Sequence, residues 1–389
     1  MKAAAHLWIE DEAREDGERL RAAVLETAGV RHRLSYRFPF EGGPALSDRH
    51  DAFVVGLVFR AMLAGSDVRV HGRVSASLLA NLEEFQRIWC AWRPQRYHPI
   101  AWSADEELDD GGADPARPAL SAFSGGVDAC FTAFRHRRGL AGRTGQPLAA
   151  GLMVHGFDIP LHDRAAFDIA FSNSQALLGS LGMDLYAVRT DYRALGDDWT
   201  DAFAAGAASC LMWFDRAYGA GLIGSSEPYG DLYFPWGSNP LSDPLLGSGR
   251  FRIVHDGAAY SRTEKVRVLA GWPEALARLR VCWAGADKSR NCGRCEKCIR
   301  TTLNFRAVGV KRLACMPEDV SDERILKVRG LSPVLIKEFE QILAAADEGG
   351  IADSWVEALR RTLRRNRLGI RWGGGARQRL RSKLIEWWV

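Results

Sequence analysis

From about residue 118 to 315, short apolar runs alternate with stretches of helical spacing, and this alternation restricts the fold more than any other feature of the chain. The runs at 119–123, 148–154, 184–189, 221–225 and 251–255 read as strands, and 127–138, 163–180 and 199–218 read as helices. Strands punctuated in this way predict an α/β fold with a parallel sheet and helices on both faces. Ligands of such sheets sit outside the carboxyl ends of the strands. The first run ends in Ser124-Gly125-Gly126 and passes directly into the helix at 127–138, which puts the glycine pair at that end.

A turn from strand to helix leaves backbone N–H groups free at the helix N-terminus, where they and the helix dipole favour an anion. Two glycines allow close backbone approach and positive φ. Ser124 adds a hydroxyl donor, and Asp128, one residue past Val127, could face a metal ion or a ligand hydroxyl. The residues by themselves fit a phosphate cradle and an ordinary tight turn equally. No GxxxxGK[ST] occurs, which excludes a Walker-type loop. GAGLIG at 219–224 matches GxGxxG in letters only, because it leads into an apolar run instead of opening a helix.

Four of the eight cysteines, Cys282, Cys292, Cys295 and Cys298, fall within 17 residues as C-x9-C-x2-C-x2-C, while Cys90, Cys130, Cys210 and Cys315 stand in apolar surroundings. That distribution suits a metal cluster with buried thiols better than a disulfide framework. Four thiolates at these spacings can enclose one tetrahedral Zn²⁺, and a site with four protein ligands is closed and structural. An iron–sulfur cluster and unligated thiols are the alternatives, although the Cys-Pro that usually ends a ferredoxin run is missing. Gly293 eases the turn, and Arg290, Arg294, Lys297 and Arg300 are placed to offset thiolate charge.

Taken together and in this order, SGGVD after the first strand, YSRTEKVRVLAG at 260–271, VCW and NCGRCEKCIRT resemble the PP-loop (N-type) ATP pyrophosphatase superfamily, and within it the 7-cyano-7-deazaguanine synthase family. The resemblance covers residues 118 to about 308. It implies a Rossmann-like parallel sheet of the adenine nucleotide alpha hydrolase kind with a C-terminal zinc knuckle at 282–298. It also implies an ATP- and Mg²⁺-dependent ligase of the C–N bond-forming type. Such an enzyme adenylates a carboxylate or amide oxygen, releases pyrophosphate, and lets a nitrogen nucleophile displace AMP. Carried onto this chain, Ser124, Gly125, Gly126, Val127 and Asp128 would hold the phosphates, and Met153 and Val154 would face adenine. Lys265 would neutralise phosphate charge, with Ser124 and Asp128 beside it in catalysis. Cys282, Cys292, Cys295 and Cys298 would carry structural Zn²⁺. The chain departs from the family's SGGxDS at Ala129, and one lost hydrogen bond to a charged group is worth about 1.5–3 kcal/mol. By itself Lys265 also reads as an exposed helix residue paired with Glu264.

The stretch 235–249, PWGSNPLSDPLLGSG, matches no deazapurine-reading segment, so a different small-molecule carboxylate or amide is expected. Ser238, Asn239 and Asp243 in it are either ligand contacts or parts of a surface turn. His155, Asp158 and the pair His255-Asp256 stand at strand ends with the same ambiguity. Residues 1–104 read as a mostly helical accessory domain, with helical spacing at 11–27, 48–64 and 75–92, followed by an acidic linker at 105–117. Residues 316–389 read as a basic helical extension, where Arg360, Arg361, Arg364, Arg365 and Arg367 with Trp372, Trp387 and Trp388 form either a solvated helix face or a contact for RNA or protein. An apolar fraction of 47% gives a sizeable core, and a net charge of +4 does not by itself call for nucleic acid. No apolar run is long enough to span a membrane, and the early Glu10 and Asp11 do not suit a secretory leader, so a cytoplasmic protein, with a homodimer allowed, is expected. Two other functions fit the same motifs: modification of tRNA or a protein partner, and nucleotide binding without turnover.

Overall fold

The computed structural model describes residues 5–372 except 113 and 115, with side chains to residue 368. Its contacts form two compact units. The first holds the residues up to Ser124, Thr132–Ser226 and Leu232–Ala258; the second holds Gly125–Phe131, Glu227–Asp231 and the chain from Ala259 onward. In chain order the elements are β1 (Ala5–Ile9), β2 (Ala13–Glu15), β3 (Glu18–Thr27), β4 (Val30–Pro39), α1 (Asp51–Ala64), β5 (Val68–Ser75), α2 (Ala76–Trp92) and β6 (Trp102–Leu108). Next come β7 (Ala119–Ala122), α3 (Val127–Arg137), β8 (Leu148–His155), α4 (Arg164–Gly179), β9 (Asp184–Thr190), α5 (Trp199–Met212), β10 (Ala220–Gly224) and β11 (Arg252–Asp256). The helices α6 (Arg262–Leu269), α7 (Pro273–Arg278), α8 (Glu296–Ala307), α9 (Asp322–Lys327), α10 (Pro333–Glu348) and α11 (Ser354–Trp372) follow.

The first unit is built on one eleven-stranded sheet in the order β11-β10-β7-β8-β9-β4-β3-β1-β5-β6, with β2 beside β3. The strands β11, β10, β7, β8 and β9 run parallel to one another, as expected from the alternation of runs and helices. Within them the order reverses at β7: the chain first adds β8 and β9 on one side, then β10 and β11 on the other. Continuous apolar strands are what such a sheet requires, because helices cover both faces. Gly151 in β8 shows how closely they pack. A Cβ there would meet Leu178 of α4 at 2.5 Å. Aspartates cap the flanking helices, Asp163 accepting from Ala166 N at 3.1 Å and Asp198 from Thr200 N at 3.0 Å.

Residues 1–104 are not a separate helical domain. The segment 11–27, read as a helix, forms β2 and β3, and 105–108 of the expected linker belong to β6, which pairs with β5. Two-residue turns decide the matter. Asp16 and Gly17 have φ of 50° and 75°, and Ala28 and Gly29 have φ of 47° and 81°, between the partners Glu15/Glu18 and Thr27/Val30. Positive φ at both central residues is the hairpin geometry that matches strand twist. The helices α1 and α2 do form where expected. β4 then pairs antiparallel with β9, so that Leu34, Tyr36, Phe53 and Val55 share one core with Leu120, Ala150 and Val188. Trp213, from the end of α5, meets Tyr36, Phe38 and Phe53 edge-on at 5.0–5.8 Å. No helix among the described residues is long and apolar enough to cross a membrane.

The second unit is helical. Ile299 and Leu303 of α8, Ile325 of α9, Phe339 and Ile342 of α10, and Trp355 and Leu359 of α11 make its core. Ser321 and Ser332 cap α9 and α10. The basic residues of α11 engage acids: Arg360 pairs with Asp347, Arg361 with Glu357 and Arg367 with Glu340. Arg365 donates to the carbonyls of Leu326 and Val328. The side chain of Trp372, and Trp387 and Trp388 altogether, lie outside the described residues.

Two substitutions in the first unit should move stability in opposite directions. Ala28→Gly relieves a left-handed alanine and should stabilise by about 0.5–1 kcal/mol. Gly56→Ala in α1 places a Cβ 2.6 Å from Tyr36 Oη and 2.7 Å from Leu34. Its overpacking cost of about 1–3 kcal/mol should outweigh a helix-propensity gain of about 1 kcal/mol. Urea denaturation of the two variants checks both signs.

Candidate functional site

The four clustered cysteines come together in the second unit. Their Sγ atoms all lie within 4.8 Å of one another, with Cys282 and Cys295 at 3.6 Å and Cys292 and Cys298 at 3.9 Å. A tetrahedron with Zn–S bonds of about 2.3 Å has edges of about 3.8 Å, so the set fits a single tetrahedral ion such as Zn²⁺. The separations are too long for disulfides. Backbone N–H groups of Arg294 and Cys295 point at Cys292 Sγ at 3.4 and 3.3 Å, and that of Cys298 at Cys295 Sγ at 3.4 Å. Gly293 takes φ of 70° at the turn, as its place in the motif requires. Hydrogen bonds among the thiols pull Cys282 well below the usual thiol range and push Cys295 up to about 12. A dication would let all four ionise together.

Buried Asn291 organises the loops behind the sulfurs, a role that the cysteine spacing did not reveal. Its Oδ1 accepts from Val281 N at 2.8 Å and Cys282 N at 3.2 Å, while Nδ2 donates to Leu279 O at 2.7 Å and Cys315 O at 3.0 Å. The flanking arginines are not held for the thiolates. Arg290 pairs with Asp287 at 2.7 Å, Arg294 with Glu318 at 3.1 Å and Arg300 with Glu296 at 2.6 Å.

A second cluster in the same unit joins two residues singled out from sequence, Asp128 and Lys265, which are 137 positions apart. Ser261 opens α6 with a capping box completed by Glu264. Glu264 therefore serves the cap, and Lys265 is buried instead of exposed. Lys265 Nζ donates to Asp128 Oδ1 at 3.0 Å, and Arg262 Nη2, one helical turn earlier, to Oδ2 at 3.0 Å. Arg262 lies 3.4 Å from Glu338, to which Arg300 also donates. Burial opposes ionisation of Asp128, but Arg262 and Lys265 outweigh it and hold the carboxyl below the usual range. Glu227 goes the other way: burial, reinforced by Glu338, raises it to about 7. Arg262, Glu338 and Glu227 were not anticipated. Arg262 stood three residues before Lys265 on the same helix face, but Glu227 and Glu338 carry no local signal.

Within the glycine loop, Gly125 takes φ of 77°, and its carbonyl accepts from Arg280 N at 2.9 Å. Gly126 O accepts from Cys130 N at 2.9 Å as α3 begins. Val127 and Ala129 are buried, whereas Ser124, counted with the first unit, is exposed.

In the first unit the candidates at the strand ends are mostly satisfied by one another. Met153 is buried and Val154 half-buried. Ser238 Oγ donates to Asp243 Oδ2 at 2.6 Å, Asn239 N to Asp243 Oδ1 at 3.0 Å, and His255 Nδ1 lies 2.8 Å from Asp243 Oδ2. Asn239 Nδ2 reaches Trp236 O and Ser242 Oγ, each at 2.8 Å. Ser238, Asn239 and Asp243 thus form a buried, internally bonded knot, neither an exposed turn nor a set of free ligand contacts. Asp256 is held by Thr132 at 2.8 Å and His136 at 3.0 Å. His155 Nε2 donates to Pro160 O at 2.9 Å, and Asp158 is exposed. No family model, no curated protein and no solved structure matches the chain.

The cysteine geometry predicts about one zinc per purified chain. Cys292→Ser and Cys298→Ser should lose it and destabilise the second unit by several kcal/mol, whereas Cys130→Ala should retain it. Elemental analysis with thermal melting checks this. Glu227 predicts a pH effect. Because its folded value is raised, the native state keeps a proton that the unfolded chain gives up, so stability should fall as pH rises from about 4.5 to about 7 and then level off. Glu227→Gln should flatten that window in denaturation measured at several pH values.

Proposed function

We propose that the chain is an ATP-using, AMP-forming enzyme of the PP-loop kind on a Rossmann-like sheet, with a structural zinc knuckle. It would activate a carboxylate or amide oxygen for attack by a nitrogen nucleophile. The observation that carries this reading is the place where the glycine loop leaves the sheet. Ser124-Gly125-Gly126 follows β7, the strand at which the order reverses, and open α/β sheets take their ligands at such reversal points. The strand order β9-β8-β7-β10-β11 supports the Rossmann-like assignment.

The chain's residues fit the charge requirement of the reaction. Attack of a carboxylate on a triphosphate brings two anions together, so fixed positive charge and N–H donors must meet the phosphates. Gly125 and Gly126 would offer backbone N–H groups, and Lys265 and Arg262 positive charge. Asp128 would exchange part of its contact with these cations for Mg²⁺, which would screen the phosphates. In the overall change the substrate oxygen bonds to the α-phosphorus as pyrophosphate leaves; the nitrogen nucleophile then bonds to the activated carbon as AMP leaves. The chain's cysteines would take no part beyond holding zinc.

A second reading, nucleotide binding without turnover, draws on Ala129 and on Asp128 being held by two cations. ATP–pyrophosphate exchange with a panel of carboxylates separates the two. The first reading expects exchange, with Lys265→Met lowering it at least about 100-fold while zinc content is unchanged. ATP binding with no exchange and no AMP would replace it with the second. Absence of ATP binding would remove both.

A further inference from the structure

In the second unit a chain of hydrogen bonds runs from the cysteine cluster to the glycine loop. The segment 279–282 ends in one of the four clustered cysteines, Cys282, and Asn291 stands next to another, Cys292. Asn291 is buried, and its amide spends its full hydrogen-bonding capacity on backbone. Oδ1 accepts from Val281 N at 2.8 Å and Cys282 N at 3.2 Å, and Nδ2 donates to Leu279 O at 2.7 Å and Cys315 O at 3.0 Å. One side chain thus fixes the backbone on either side of Arg280.

Arg280 turns its own backbone N–H to the loop and donates to Gly125 O at 2.9 Å. In a trans peptide the C=O and the N–H point in opposite directions. Holding Gly125 O therefore also sets the direction of the Gly126 N–H, which points away from Arg280. The peptide lies between two glycines, and Gly125 already takes φ of 77°. With no Cβ on either side, rotation about Gly125 ψ and Gly126 φ could flip the peptide plane with little steric resistance. A flipped peptide would present a carbonyl where the N–H had been, and a carbonyl repels a phosphate. The loop reaches the surface at this point, since Ser124 is exposed and Gly126 half-buried.

We propose that Asn291 is a positioning residue for the glycine loop: through Arg280 it locks the Gly125–Gly126 peptide with its N–H turned toward the phosphates, and it ties that orientation to the knuckle of the four cysteines. The proposal rests on the phosphate-binding reading of the loop. Asn291 touches neither nucleotide nor metal. Its effect travels through its bonds to the backbone around Arg280 and through the one bond from Arg280 to Gly125.

The test uses the full chain in zinc-supplemented buffer with two variants, Asn291→Ala and, as a control in the same unit, Ser332→Ala, which removes the cap of α10. Hydrogen–deuterium exchange without nucleotide should rise about tenfold over 124–130 in Asn291→Ala, with α10 exchanging as in the unmodified chain. Ser332→Ala should do the reverse, speeding exchange at the start of α10 and leaving 124–130 unchanged. Titration with ATP and Mg²⁺ should show about tenfold weaker binding by Asn291→Ala and no change in Ser332→Ala, with about one zinc per chain in both. If Asn291→Ala fails to fold, Asn291→Asp, which keeps the acceptor for Val281 and Cys282 but loses the donor, decides by the same two measurements. Exchange over 124–130 unchanged in the folded Asn291 variant, an equal rise there in Ser332→Ala, or an ATP affinity that the Asn291 variant leaves unchanged would overturn the proposal. If the unmodified chain binds no ATP, the functional reading fails, and the exchange comparison alone decides whether Asn291 holds the loop.

Discussion

Two residue pairs, Tyr36 with Thr190 and Arg37 with Arg189, join the N-terminal strands to the parallel strands β7 to β11 of the first unit, and much of that unit depends on the join. Side chains reinforce it. Asp191, one residue past β9, accepts from Ser35 N and Oγ, each at 2.7 Å, and buried Tyr36 donates to Ser209 of α5 at 2.8 Å. Through this seam a stretch with no recognisable chemistry of its own becomes half of an eleven-stranded sheet with a common core.

The parallel strands were legible because their chemistry is local. Each is an apolar run bounded by turn residues, and covering both faces of a sheet requires such runs. The N-terminal strands were not, because RAAVLETAG is rich in helix formers. Tertiary pairing overrides that propensity. The Asp16-Gly17 pair was the readable hairpin signal in that segment. The cysteine cluster was legible for a related reason: three of its four sulfurs come from seven consecutive residues, so spacing nearly determines geometry.

The charged cluster of the second unit was legible only in part. Asp128 and Lys265 could be named one at a time, through a resemblance, but their contact depends on how α3, α6, α8 and α10 pack. Glu227 stands in a short loop and Glu338 on an amphipathic helix, and nothing near either in sequence marks it. Packing brings four acids close to Arg262, Lys265 and Arg300, and burial then separates their behaviour: Asp128 is held ionised by its cations, while Glu227 keeps a proton up to about pH 7. Removing one partner from such a buried pair would leave an uncompensated charge.

The central claim is that the same cluster receives a triphosphate. Diffraction from crystals grown with a non-hydrolysable ATP analogue and Mg²⁺ tests it most directly. The account predicts phosphate oxygens within hydrogen-bond distance of the Gly126 N–H and of Lys265 Nζ, with Asp128 turned from Lys265 toward the metal. An analogue bound elsewhere, with the Asp128–Lys265 contact still at about 3.0 Å, would contradict it.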